Sequence, residues 1–271
     1  MKDYTKEFDK FKGMLEEGEN FAFSRFSDGE IFILKNERLI LAENSYVTGA
    51  RSGHGIYTNE ERKDFDPQKH EYISERLHDC LSSSRNNYFK ALSCNEDADI
   101  CLEDDVLLYQ QGISGKDEEY HTFSTLFINA NYPRFLNEVV PTFQDKPLVL
   151  IVNENCTYDT LVTNPAFNNI IKVFNIGSNC IVNDYNLPEE INKWIEDNDI
   201  ENTIFLVAAS TLSNFIIKDC FFQNPNNTYI DIGSSLNPWL GLDGWKFTRA
   251  YLVHWILGQH NKYGTQVDTW S

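Results

Sequence analysis

The chain has 271 residues, 41% of them hydrophobic, 14% aromatic and 24% charged, with a formal net charge of −18. Such a composition allows a sizeable globular core. The charge argues against a general nucleic-acid binder, which needs Lys and Arg against phosphates, and against docking on anionic lipid by charge alone. An acidic protein that handles an anionic ligand then needs a local exception, either a metal ion or a few arginines. The six cysteines are scattered without a C-x-x-C pair and read as reduced thiols. No stretch is long and apolar enough to span a bilayer, and the N-terminal residues lack a signal-peptide core. A cytoplasmic protein is the expectation.

Tyr4, Phe8, Phe11 and Leu15 fall at helical spacing, with Gly18 as the stop. Phe21–Phe26 reads as a short strand that runs into a charged turn. A short helix is expected after Glu30, then an apolar run over Leu39–Ala42. Gly49–Gly55 holds three glycines with Arg51 and His54; it reads as a flexible surface loop, with a phosphate cradle as the alternative. Asp66-Pro67 predicts a helix start, with Ile73, Leu77 and Leu81 on one face. Tyr88–Leu92 reads as a strand and Glu96–Asp105 as a solvated acidic stretch. Pro133 predicts a helix that buries Phe135, Leu136, Val139, Val140 and Phe143.

From Leu148 the pattern becomes regular. Strands are expected at Leu148–Val152, Ile170–Asn175, Thr203–Ala208 and Thr228–Ile232. Helical segments are expected around Tyr158–Val162 and at Pro188–Asn198, Leu212–Phe221 and Trp245–Leu257. Alternating strands and helices with short connections predict an α/β fold: a Rossmann-like, mostly parallel sheet flanked by helices, with an elaborated N-terminal half. A single domain over residues 1–271 is expected, with Asp145-Lys146-Pro147 as the alternative boundary.

Ligands of open α/β sheets bind beyond the carboxyl ends of the strands. That rule selects Asn153-Glu154, Gly177-Ser178, Ala209-Ser210-Thr211 and Gly233-Ser234-Ser235. Asp231, one residue before the apolar end of its strand, is a candidate site carboxylate. Near the start of the chain, Asp28 and Glu30 flank Gly29, with Arg25 three residues before Asp28. A glycine permits a tight turn that aims both carboxylates at one point. Mg²⁺ or Mn²⁺ commonly takes one or two protein carboxylates when a phosphate supplies further oxygens. The alternative for Ser27 and Glu30 is a capping box ahead of the apolar run Ile31–Leu34.

Three pieces together resemble the GT-D type of glycosyltransferase, whose catalytic domain was long filed as a domain of unknown function. They are Ser24–Glu30, Leu148–Val152, and Asp231–Pro238 with Arg249. The resemblance implies a Rossmann-like domain, a nucleotide-sugar donor (here expected to be a UDP-sugar) and a D-x-E motif that serves the metal and the donor diphosphate. That motif is Asp28 and Glu30 here, preceded by Ser27 where the family usually has glycine. The expected assignments are Asp28, Glu30 and Asp231 as catalytic, and Arg25, Ser234, Ser235 and Arg249 as donor-binding. Asp28 and Glu30 would hold Mn²⁺ or Mg²⁺. The expected partners are the nucleotide sugar and a glycan or glycosylated acceptor, with Glu154 as the reserve general base. The alternative function is a non-catalytic nucleotide- or carbohydrate-binding protein on the same sheet. A Rossmann methyltransferase is disfavoured by the lack of a glycine-rich turn after a first strand.

Overall fold

The computed structural model describes residues 3–55, 57–93, 106–115 and 118–258. In chain order the strands are β1 (Ala22–Phe26), β2 (Leu39–Ala42), β3 (Ser45–Thr48), β4 (Arg51–Gly53), β5 (Lys63–Phe65), β6 (Tyr88–Leu92), β7 (His121–Phe123), β8 (Leu148–Asn153), β9 (Ile170–Ile176), β10 (Ile204–Val207) and β11 (Thr228–Asp231). Seven of them form one sheet in the order β7-β6-β1-β11-β10-β8-β9, and every neighbouring pair in it is parallel. The sheet therefore draws strands from both halves of the sequence.

β8 shows why this sheet lies between two layers. All six of its residues are buried. Leu148, Leu150 and Val152 pack into one core, with Phe11, Phe23 and Ile230. Val149 and Ile151 pack into the other, with Leu77, Ile191, Phe215 and Tyr229. A strand covered on both faces needs no polar side, which is the physical meaning of its continuous apolar run.

The helix Tyr4–Glu17 lies on the first face. Asp3 accepts from the Lys6 amide at its start and Gly18, at φ 72°, ends it in the left-handed region. Its Phe11 meets the rings of Phe23 and Phe89 edge-on, at centroid distances of 5.2 and 4.8 Å. The helices Glu71–Ser82, Leu187–Asp197 and Leu212–Gln223 cover the second face.

Several boundaries differ from the sequence reading. Gly49–Gly55 is no loose loop: Gly49 and Ala50 turn a hairpin, and Arg51–Gly53 pairs with Tyr46–Thr48. This hairpin belongs to a four-stranded antiparallel sheet, β4-β3-β2-β5, inserted after the helix Asp28–Leu34. The helix expected at Asp66 begins at Glu71. Asp66 instead closes a turn, its carboxylate accepting from the Gln68 amide and its carbonyl from the His70 amide. The Pro133 helix is distorted: Tyr132–Arg134 is α-helical, Phe135–Val139 widens to a π-helix and Val140–Phe143 tightens to 3₁₀. Pro141 has no amide to continue an α-helical ladder. Around Tyr158–Val162 the helical residues are a 3₁₀ turn, Leu161–Thr163. The closing helix breaks at Arg249, whose extended backbone (φ −122°, ψ 91°) separates Trp245–Thr248 from Ala250–Leu257. Glu96–Asp105 lies outside the described residues. Among the described residues the cysteines are unpaired, and no helix is long and apolar enough to cross a membrane.

Candidate active site

β1 and β11 are neighbours at the centre of the sheet, with Phe23 beside Ile230. The chain leaves these two strands towards opposite faces: after β1, Ile33 and Leu34 join the second core, and after β11, Leu236, Leu240 and Trp245 join the first. Such a divergence opens a crevice beyond the strand ends. Two segments far apart in sequence, Ser24–Glu30 and Asp231–Ser235, meet there.

Arg25 is held twice. Its Nε donates to the Ser124 carbonyl at 2.7 Å, and its Nη1 lies 3.8 Å from Asp231 Oδ1. Those side chains are only 13% and 8% exposed, so water screens the pair little. The Gly233 amide donates to Asp231 Oδ1 at 2.9 Å. Burial pushes the Asp231 carboxyl up to about 6; Arg25 and the Gly233 amide pull it down, and the Glu30 charge adds a further upward push. Gly233 has φ 50°, and a Cβ built there would collide with Arg25 Nη1. The glycine of the D-I-G-S piece thus serves both the turn and the close approach of the guanidinium.

Glu30 is buried at the start of the helix Asp28–Leu34. One carboxylate oxygen accepts from the Ser27 amide at 3.0 Å and the other from the Thr211 hydroxyl at 2.6 Å. The capping box is therefore real, and Thr211 adds a bond that the box does not require. Thr211 follows β10 and precedes the helix Leu212–Gln223; beside it Ser210 holds the left-handed backbone at φ 52°. Asn214, one turn into that helix, donates to Ser24 Oγ at 3.0 Å and to the Arg25 carbonyl at 2.6 Å, tying β1 to the helix.

Ser234 shares a hydrogen bond with the Tyr251 hydroxyl at 3.0 Å and accepts from Arg249 Nε at 3.1 Å. The break in the closing helix is what turns Arg249 toward this serine. Arg249 also pairs with Glu61 at 2.8 Å. Ser235 points the other way: fully buried, it donates to the Ile232 carbonyl at 2.6 Å and holds the turn. Glu154 is exposed against Gly177, beyond β10 from Asp231. The Asp28 side chain lies outside the described residues.

The crevice thus brings Arg25, Glu30, Asp231, Ser234 and Arg249 together and leaves Glu154 outside. Sequence reasoning missed Lys63, Glu61 and Asn214, and singled out Thr211 only as part of a strand-end loop. Among the described residues no three His, Cys, Asp or Glu side chains converge to hold a metal ion. Glu30 keeps an unused lone pair on each oxygen. A hard divalent cation that draws its remaining oxygens from a phosphate and water therefore fits the residues present, with Glu30 as one carboxylate.

No protein-family model and no curated protein matches the chain. Solved structures do. A selenomethionine-substituted structure of domain of unknown function 1792 aligns with a TM-score of 0.51 at 14% identity, over 88% of this chain and 79% of that one. A second, described as showing that this domain "has a distinct glycosyltransferase fold", aligns with a TM-score of 0.50 at 14% identity and the same coverage. At that identity the likeness is one of fold, and this chain has the fold of that domain.

Proposed function

We propose that this chain transfers a sugar from a nucleotide-sugar donor, a UDP-sugar, to a hydroxyl of a glycan or glycosylated acceptor. The observation that carries the reading is the Arg25–Asp231 pair at the seam between β1 and β11, in a fold shared with a domain described as a glycosyltransferase fold. An acidic protein gains there two arginines, each held against a carboxylate, Arg25 by Asp231 and Arg249 by Glu61.

In this account the donor diphosphate lies over the ends of β1 and β11. Arg25 and Arg249 give it charge-assisted hydrogen bonds, and the Ser234 hydroxyl orients it. Ser235, held in the turn beneath, fixes the position of Ser234. Asp231 takes the proton of the acceptor hydroxyl as that oxygen attacks the anomeric carbon; the bond from that carbon to the phosphate oxygen breaks, and the nucleoside diphosphate leaves. A carboxyl raised to about 6 suits a base that works near neutral pH. Asp28 and Glu30 would hold Mg²⁺ or Mn²⁺, which when bound supplies Lewis-acid stabilisation of the leaving diphosphate.

The hold of Ser27 and Thr211 on Glu30 favours one other reading, a non-catalytic nucleotide- or carbohydrate-binding protein in which this carboxylate only ties down a helix start. A panel of nucleotide sugars, incubated with and without Mn²⁺, separates the two. The transferase reading expects release of nucleotide from at least one donor. Binding without release supports the second reading.

A further inference from the structure

The segment from Thr58 to Asp64, which leads into β5, lies across the carboxyl ends of the large sheet. The Asn59 side chain accepts from Ser178 Oγ, beyond β9, at 3.3 Å. Glu61 pairs with Arg249, beyond β11, at 2.8 Å. The Asp64 amide donates to Asn179 Oδ1 at 2.9 Å. Thr58 packs against Gly244 closely enough that a Cβ there would collide with it. Asn59 and Lys63 reach strand-end loops, and Glu61 reaches Arg249 at the break of the closing helix.

Lys63 differs from the other contacts. Its ammonium lies 3.4 Å from Thr211 Oγ1, and among the described residues it has no carboxylate within ion-pair distance. Thr211 in turn donates to Glu30 at 2.6 Å, so its oxygen is free to accept from Lys63. An ammonium carries three donors, and among the described residues only one of them has a partner. The same ammonium fills the space above Gly29: a Cβ there would sit 2.6 Å from Lys63 Nζ. A lysine whose work is to fasten the segment would pair with a carboxylate, and Glu61 with Arg249 already does that fastening. Lys63 is instead a cation that the inserted sheet brings into the crevice, joined to Glu30 through the Thr211 hydroxyl.

We propose that Lys63 is a phosphate-binding residue of this site, donating to the diphosphate of a bound nucleoside diphosphate. The identity of the nucleotide rests on the glycosyl-transfer reading; the anion site rests on the geometry above. Lys63 is absent from the three pieces that carry the family resemblance, and it comes from an insertion that no strand-end rule selects.

The test is titration calorimetry of UDP, inorganic pyrophosphate and uridine with Mg²⁺ in excess, on the wild type, Lys63→Met and Lys63→Arg. Loss of one charge-assisted hydrogen bond should weaken UDP and pyrophosphate about ten- to a hundredfold in Lys63→Met. Uridine affinity and melting temperature should stay unchanged, and Lys63→Arg should retain most of the affinity. Equal UDP binding by wild type and Lys63→Met, or a parallel loss for uridine, overturns the assignment. So does a wild type that binds neither UDP nor pyrophosphate. Pyrophosphate binding that depends on Lys63, with no nucleotide sugar turned over, sinks the transfer reading and leaves Lys63 in place. Should Lys63→Met not fold, acetylation of Lys63 in the wild type, followed by mass spectrometry, reads the same point. Protection by pyrophosphate is expected, and equal labelling with and without it contradicts the proposal.

Discussion

Arg25 and Asp231 face each other across the seam between β1 and β11, Nη1 to Oδ1 at 3.8 Å, with both side chains largely out of water. Each completes the other: the cation offsets a buried carboxylate, and the carboxylate aims the cation at the crevice. Removing one partner of such a pair is far more damaging than removing both. Arg25→Met should therefore destabilise the fold by about 3–5 kcal/mol at pH 7, measured by urea unfolding. Arg25→Met with Asp231→Asn should recover most of that loss. A single variant as stable as the wild type would remove the pair from the account.

The pH dependence follows from Asp231. Its folded value, pushed up to about 6, lies above the ordinary 3.8 of the unfolded chain. Between those values the folded chain holds a proton that the unfolded chain has lost. Stability from this group is thus fullest below about pH 4, falls as pH rises to about 6 and is flat above. The Asp231→Asn variant should lack that slope. As a general base Asp231 must be ionised, so kcat/KM should rise with pH through a limb near 6. The same variant, destabilised like Arg25→Met and assayed where its melting curve shows it still folded, should lose about a hundred- to ten-thousandfold in turnover. A limb unchanged in Asp231→Asn would move the base elsewhere.

Two glycines give a contrast with the same local conformation. Gly18 and Gly233 both hold positive φ, at 72° and 50°, yet only Gly233 has a neighbour where a Cβ would go. Gly18→Ala should cost about 1 kcal/mol, from the backbone alone. Gly233→Ala should cost about 1–3 kcal/mol more, since Arg25 must also move, and should weaken nucleotide binding. Thermal melts and UDP titrations on both variants check this. Equal losses of stability would show that Arg25 yields freely.

Much of the sheet was legible because fully buried parallel strands leave an unmistakable mark. Leu148–Asn153 is apolar without a break until its last residue, and Phe205 and Leu206 behave alike. The inserted sheet was not legible. Its strands are three or four residues long and half-exposed, so neither alternation nor length marks them. The missed residues follow from that. Lys63 and Glu61 reach the crevice only because the insertion folds back over it, and a lone lysine in a charged stretch carries no signal of its own. Asp231 and Gly233 were legible from their place at a strand end. Their partnership with Arg25 became visible only once β1 and β11 were neighbours. Ser235 shows the limit of the strand-end rule, which picks out a turn and cannot tell which of two adjacent hydroxyls faces the core.

The most direct measurement is nucleotide release from a panel of nucleotide sugars with Mn²⁺, run on the wild type and on Glu30→Gln beside their melting curves. Glutamine can keep the bond from the Ser27 amide and take up Thr211 through its amide group, so the melting temperature should hold. It cannot keep the charge. The account predicts release by the wild type from at least one donor, lost in excess EDTA and lowered about a hundredfold or more in Glu30→Gln, the scale of removing one electrostatic stabiliser. No release from any donor, or wild-type release by Glu30→Gln, would contradict it.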